Sequence, residues 1–195
     1  MTNETDSVFG GKGMRLNGTE LGVNLLEKWN EMHPSGKIVT NKNELFSAKN
    51  GEKMLGLFAN YDLEYNQKQV EEIANNGENK AIYENTPSLK DMTEKAIDSL
   101  LETSDEGFYL FVEGGRIDHG HHDGSAFRAL EEFDEFQKTI EFVRTHPKLD
   151  ISETLIVITA DHSHMFSMGG YGWRGYSAFK KNIHNIRSLI FSAEF

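Results

Sequence analysis

Two short segments of this 195-residue chain concentrate the side chains that could do chemistry. The first runs Glu113-Gly-Gly-Arg-Ile-Asp118-His119-Gly-His121-His122-Asp123-Gly124, and the second Thr159-Ala-Asp161-His162-Ser-His164. Five of the eight histidines lie in them, each alongside carboxylates. Carboxylate oxygens and neutral imidazole nitrogens are the usual non-thiolate ligands of zinc, whereas a glutamate suits a harder, octahedral ion such as magnesium. Asp118 and His122 are four residues apart, so a helix beginning near Asp118 would set both on one face. Asp161 and His162 are adjacent; a straight strand would send them to opposite faces, but a turn at a strand end lets them converge. Zinc in a catalytic site takes three protein ligands and keeps one position open. The two segments offer two strong candidates for each of two zinc ions and one, Glu113, for magnesium, so further ligands must come from elsewhere.

The elements that must position these residues follow from patterning. Each segment succeeds an apolar run, Phe108-Tyr-Leu-Phe-Val112 and Thr154-Leu-Ile-Val-Ile-Thr159, which reads as a buried strand whose carboxyl end meets a ligand site. Helical spacing of Leu21, Leu25, Leu26 and Trp29 predicts a helix over 20–32, closed by Pro34-Ser-Gly36. Residues 37–40 and 54–58 read as short strands, with Asn43 capping a short helix around 44–48. Residues 59–87 are polar, show no sustained period and read as a long surface excursion with a frayed helix near 70–74. Ser88 with Asp91 forms a capping-box signature ahead of a helix through Thr103, its face made by Leu89, Met92, Ala96, Ile97 and Leu100. A second long helix carries Ala126, Leu130, Phe133, Phe136, Ile140 and Val143 and ends at His146-Pro147. Helix and strand alternate throughout, so the expected fold class is α/β with a mostly parallel sheet.

Composition narrows the function. The formal net charge is −11 and no basic stripe is present, which argues against nucleic acid as a partner. With no cysteine, neither a disulfide frame nor a thiolate metal site can form. The opening Met1-Thr-Asn-Glu-Thr-Asp-Ser7 is polar and acidic, does not read as a signal peptide, and no apolar run approaches the ~20 residues of a membrane span. Taken singly, His33, His146 and His184 read as surface histidines, Arg116 as an ion-pair partner, and Asp123 as a helix opener. Met165, Phe166 and Met168 read as packing, and Tyr171-Gly-Trp173 as a loop anchor. Neither histidine segment matches the His-x-His-x-Asp-His of metallo-β-lactamases, and no Gly-x-Ser-x-Gly is present.

The stretches Phe111-Val-Glu-Gly-Gly-Arg-Ile-Asp-His-Gly-His-His-Asp-Gly124 and Thr159-Ala-Asp-His-Ser-His-Met-Phe-Ser-Met-Gly-Gly-Tyr171 resemble the two metal-binding segments of animal-type alkaline phosphatases. Gly11-Lys-Gly-Met-Arg-Leu-Asn-Gly18, Gly56-Leu-Phe58, Pro87-Ser-Leu89 and Arg174-Gly-Tyr-Ser-Ala-Phe179 support the resemblance, which covers roughly residues 10–179. It implies a three-layer αβα sandwich, incomplete here, with a partial phosphatase domain over 20–179 and a divergent tail at 180–195; residues 1–19, rich in glycine and poor in apolar residues, read as a loose leading segment. It assigns Asp118 and His122 to one zinc, Asp161 and His162 to the other, and Glu113 to magnesium. His164 would orient the Asp118 carboxylate, and His119 would lie near bound phosphate. The implied activity is hydrolysis of phosphate monoesters through a phosphoserine, in which one zinc activates a serine and the other a water. Three divalent cations would bring roughly six positive charges to the cleft, so an acidic chain can still take an anionic substrate.

No Asp-Ser-Ala segment that could carry the nucleophilic serine is found, and Asp6-Ser7-Val8 is a poor substitute. The phosphate-clamping arginine, the Asp shared between zinc and magnesium, the magnesium hydroxyl ligand and the downstream zinc histidine have no counterpart either. Calcium is not expected, since Ala59 and Thr86 stand where acids would be needed. The chain therefore reads as the central part of such an enzyme, inactive by itself, with homodimerisation and an extracellular or lipid-anchored location implied by the family alone. Two other readings stand beside it: a two-metal phosphodiesterase, phosphomutase or sulfatase relative, and a non-catalytic zinc-binding remnant.

Overall fold

A computed structural model describes residues 24–165 and residue 174. In chain order its elements are α1 (Leu25–Met32), β1 (Lys37–Val39), α2 (Lys42–Ser47), β2 (Met54–Gly56), α3 (Asn66–Ala74), α4 (Lys80–Glu84), α5 (Leu89–Leu101), α6 (Arg116–His122) and α7 (Ala126–Arg144). They divide into two compact units, one of residues 24–64 with 68–112 and one of residues 65–67 with 113–165.

The first unit is built around a parallel pair. β1 and β2 run in register Lys37↔Met54, Ile38↔Leu55 and Val39↔Gly56, with α2 in the crossover between them. Parallel neighbours cannot be joined by a tight turn, which is why a helix intervenes. Val39, Leu45 and Ala48 form its core, with Met54, Phe58 and Met92 packed around them. Side-chain caps fix the helix starts: Asn24 accepts from the Leu26 and Glu27 amides, and Asn41 from the Glu44 amide. The α2 cap is thus Asn41, two residues before the expected Asn43. At α5, Ser88 and Asp91 make the reciprocal capping box that their spacing predicts. The buried positions of α5 include Lys95, a departure from its expected apolar face. Lys95 Nζ donates to the Ala48 carbonyl and to Asn50 Oδ1, so the cation sits at the carboxyl end of α2 where the helix dipole favours it.

Residues 59–87 contain two helices, α3 and α4, where the sequence suggested a mostly irregular excursion. α3 contains the frayed helix expected near 70–74 but begins earlier, at Asn66, while α4 is short and polar and has no apolar period to read. The runs 108–112 and 154–159 differ from expectation in the opposite sense. Neither belongs to a described sheet, and Tyr109 (85%), Phe111 (73%), Leu155 (88%) and Val157 (73%) are exposed rather than buried. Burial still alternates along Tyr109–Val112, a two-residue period that belongs to extended backbone. An apolar sequence supplies strand propensity, but a strand also requires a neighbour's hydrogen bonds and a layer to cover it.

The second unit is the pair α6 and α7. Gly120 is the contact point: a Cβ there would lie 2.6 Å from the Ala129 backbone nitrogen. Gly124, at φ +63°, makes the turn between the helices in a conformation that costs a side-chain-bearing residue. Ser125 then accepts from the Arg128 amide to start α7. Along α7 the buried residues are Ala126, Ala129 and Thr139, while Leu130 and Phe133 are exposed. The covered stripe is therefore offset from the largest side chains, because the small residues let α6 approach. α7 ends at Arg144 with Thr145 as cap, just before the residue that Pro147 disfavours in a helix. His146 is buried, with its ring edge-on to Phe142, which corrects its reading as a surface histidine.

Candidate metal centre

Helix α6 has no side-chain N-cap, and its last turn holds His119, His121 and His122. It begins two residues before Asp118, so Asp118 and His122 share one face. His122 Nε2 lies 3.3 Å from Asp118 Oδ2. The second segment reaches the same carboxylate from 46 residues away. His164 Nε2 is 2.5 Å from Asp118 Oδ1, and His162 Nε2 is 3.6 Å from that oxygen. His162 Nε2 is also 3.4 Å from Asp161 Oδ2. Ligand atoms of Asp118, His162 and His164 fall within 4.8 Å of one another.

Each candidate residue has a definite place in this arrangement. Asp118, His122, His162 and His164 gather around one carboxylate, and Asp161 reaches the group only through His162, with its side chain 87% exposed. Glu113 lies outside the three-residue metal-competent group and is exposed. His119 engages a different partner: Arg116 Nη1 lies 2.6 Å from His119 Nδ1. A guanidinium can only donate, so Nδ1 is the acceptor and the proton of the neutral ring sits on Nε2.

The electrostatics favour an ionised Asp118. Burial works to raise its pKa, but the hydrogen bond with His164 and the charges of His122, His164 and His162 outweigh it and hold the carboxyl below its ordinary value. His121 stacks on His164, with centroids 5.0 Å apart and planes 14° from parallel. Burial first, then neighbouring imidazoles, lower its pKa and favour the neutral ring. The donor set of one carboxylate and three imidazoles is chemically suited to zinc. Two ligands of one zinc at ~2.0–2.1 Å would stand roughly 3.3 Å apart in a tetrahedron. The 2.5 Å contact of His164 with Asp118 is shorter and is a charge-assisted hydrogen bond.

Beside the histidines lies a shallow open depression lined by Tyr65, Arg116, His119, His122 and Asp123. Tyr65 is buried, although it stands in the polar stretch 59–87. Its hydroxyl donates to Asp123 Oδ2 at 2.7 Å, and Arg128 Nη1 donates to the same oxygen at 2.6 Å. The Arg116 guanidinium stacks 3.8 Å from the centroid of the Tyr65 ring. Burial, then the bond to Asp123, pushes the Tyr65 pKa up to about 12, so the phenol remains a donor. Asp123 is the C-cap residue of α6, not the opener of a helix. The only sequence signal for Tyr65 was an aromatic in a polar stretch, and contact over 58 residues has no local signature.

The chain has known relatives. A family profile described as alkaline phosphatase matches residues 1–188. The alkaline phosphatase of Gadus morhua is 39% identical over 181 residues, covering 91% of this chain and 35% of its own length. The tissue-nonspecific isozyme of Homo sapiens is 38% identical over 173 residues, covering 85% of this chain and 30% of its own. Thermus thermophilus alkaline phosphatase, a crystal structure, superposes with a TM-score of 0.51 at 25% identity, over 64% of this chain and 23% of that one. The chain thus spans about a third of the length of the curated relatives it matches. The small parallel sheet with its helices is an incomplete α/β fold of the alkaline-phosphatase type. With a family profile over nearly the whole chain and carboxylate and imidazole donors meeting at Asp118, the protein belongs to the alkaline phosphatase family.

Proposed function

We propose that this chain is the metal-holding part of a phosphomonoesterase, with Asp118 and His122 ligating one zinc, Asp161 and His162 the other, and Glu113 a magnesium. The observation that carries this reading is the meeting of Asp118 and His122 with His162 and His164, two separate segments that converge on one carboxylate. Bound divalent cations would supply Lewis-acid stabilisation of phosphoryl oxygens and lower the pKa of a coordinated hydroxyl. The rest is done by the chain itself. Asp118 remains ionised because His164 donates to it, which leaves Oδ2 on the His122 side for a cation. His119, with its proton on Nε2, offers a donor to a phosphoryl oxygen, and Arg116 fixes that tautomer. Asp161 is exposed enough to swing toward a cation beside His162.

Phosphate monoesters are the substrate class, because the family resemblance extends through Val-Glu-Gly-Gly-Arg-Ile-Asp-His-Gly. The nucleophilic serine has no counterpart in these 195 residues, so the purified chain should bind zinc and orthophosphate yet turn over little. Calorimetric titration of the zinc-loaded chain with orthophosphate, paired with assays on chromogenic monoester, diester and sulfate ester, tests this. Binding of orthophosphate with turnover far below the ~1–10³ per second of ordinary enzymes is expected. A clear preference for the diester or sulfate ester would replace the substrate assignment, and absence of zinc binding would leave a non-metallic remnant. A homodimer and an extracellular or lipid-anchored location are carried over from the family. Among the described residues no helix is long and apolar enough to cross a membrane.

A further inference from the structure

We infer that Tyr65 is a positioning residue for the metal site, acting through Asp123 on the end of α6 that bears His122. Residues 65–67 leave the chain around them and join the second unit. They are tied there by the Asn66 amide donating to Glu132 Oε1 on α7 at 2.6 Å. That anchor holds the buried Tyr65 ring against Arg116, at the start of α6, and Arg128 on α7, whose guanidinium lies 4.6 Å from the ring centroid. The Tyr65 hydroxyl and Arg128 both donate to Asp123 Oδ2. Asp123 follows His122 directly, and its amide donates to the His119 carbonyl as the cap of α6. One phenol therefore touches both ends of a seven-residue helix that has no side-chain N-cap of its own.

The consequence concerns preorganisation. A helix this short cannot hold its own geometry by hydrogen bonding alone. The His122 ring must stay within reach of Asp118 Oδ2, 3.3 Å away, for both to serve one cation. Removing the hydroxyl takes one donor from Asp123 Oδ2 and lets the last turn of α6 relax, moving His122 while the contacts of the Tyr65 ring persist. Outer partners of metal ligands typically contribute 10–100-fold in metal affinity.

This inference rests on the zinc reading, and the test separates the two. Zinc affinity of the 195-residue chain is measured by competition with a chromogenic chelator for wild type, Tyr65→Phe, Asp118→Asn and Lys138→Gly. Lys138 is exposed within α7 and ion-paired to Asp134, so its glycine variant weakens the same unit without touching Asp123. Tyr65→Phe should weaken zinc about 10-fold, and Lys138→Gly should leave affinity unchanged although it lowers the melting temperature. X-ray absorption of the zinc-loaded Tyr65→Phe variant should show fewer imidazole ligands than wild type. If Tyr65→Phe binds zinc as wild type does while Asp118→Asn does not, the positioning role is wrong and the metal reading stands. Equal losses in Tyr65→Phe and Lys138→Gly would show a general stability effect and also overturn it. If wild type and Asp118→Asn bind alike, or neither binds zinc, both readings fall.

Discussion

Helices α5 and α6 solve opposite problems. α5 is thirteen residues long, opens with a complete capping box and buries Thr93, Lys95, Ile97 and Ser99. Its start is local and legible, because Ser88 and Asp91 cap each other within one turn, while Lys42 and the Ala48 carbonyl meet Asp91 and Lys95 from farther along the chain. α6 is seven residues long, has no capping side chain and buries only Gly120. It places three histidines in its last turn, and it is held from outside by α7, Tyr65 and Arg128. α5 supplies its own capping side chains, whereas α6 gives its positions to candidate ligands and takes its side-chain support from residues outside the helix.

The sharpest way to break this contrast is Asp118→Asn. It removes the anion on which His122, His162 and His164 converge, and zinc affinity should fall by about 100-fold or more, at or beyond the upper end of losses at outer partners. The same chelator competition reads the result, and an unchanged affinity would make α6 an ordinary helix. Next comes Gly120→Ala. The added methyl would meet the Ala129 backbone, which cannot rotate away, so α6 and α7 must separate. A loss of about 1–3 kcal/mol in urea unfolding is expected; a neutral result would show that the helices are not held at this point. In α5, Ser88→Ala should cost about 1 kcal/mol through the lost cap, with no effect on zinc affinity.

The smallest effect is acid sensitivity at the start of α5. Burial works to raise the Asp91 pKa, but the Lys42 ammonium at 2.7 Å and the Ser88 amide outweigh it, so the folded value lies below the ordinary one. A depressed carboxyl stabilises the fold fully above its unfolded pKa of about 3.9 and loses that contribution as pH falls through the folded value. Lys42→Met should move the acid limb of a urea-midpoint profile to higher pH. The loss at neutral pH should be about 0.2–1 kcal/mol, as for partly exposed pairs. An unmoved acid limb would mean that Lys42 is spectator charge.

Much of the site was readable because its signals are short-range. Asp118 and His122 four residues apart, the Ser88/Asp91 box and the end of α7 before Pro147 are all consequences of helix geometry. Two kinds of feature escaped. The first half of α3 and the whole of α4 carry too few apolar residues to announce a period, and Lys95 is buried because a carbonyl and an amide oxygen happen to await it. Conversely, Tyr109, Phe111, Leu155 and Val157 announce buried strands, yet they are exposed, since strand pairing is a property of two segments. Residues 169–173 and 175 of the glycine-rich stretch, Phe166, Met168 and His184 lie outside the described residues, as do the expected leading segment 1–19 and tail 180–195.

By itself the sequence determined the donor types, their spacing within each segment and the helix–strand alternation as far as β2, because these depend on residues a few positions apart. The resemblance implied that His164 meets the Asp118 carboxylate; only the tertiary structure decided that His162 reaches it too, that Asp161 stands at the margin, and that the Tyr65 hydroxyl meets Asp123. Those facts depend on where the chain returns in space, and hydrogen bonds across 46 or 58 residues leave no periodic trace along it.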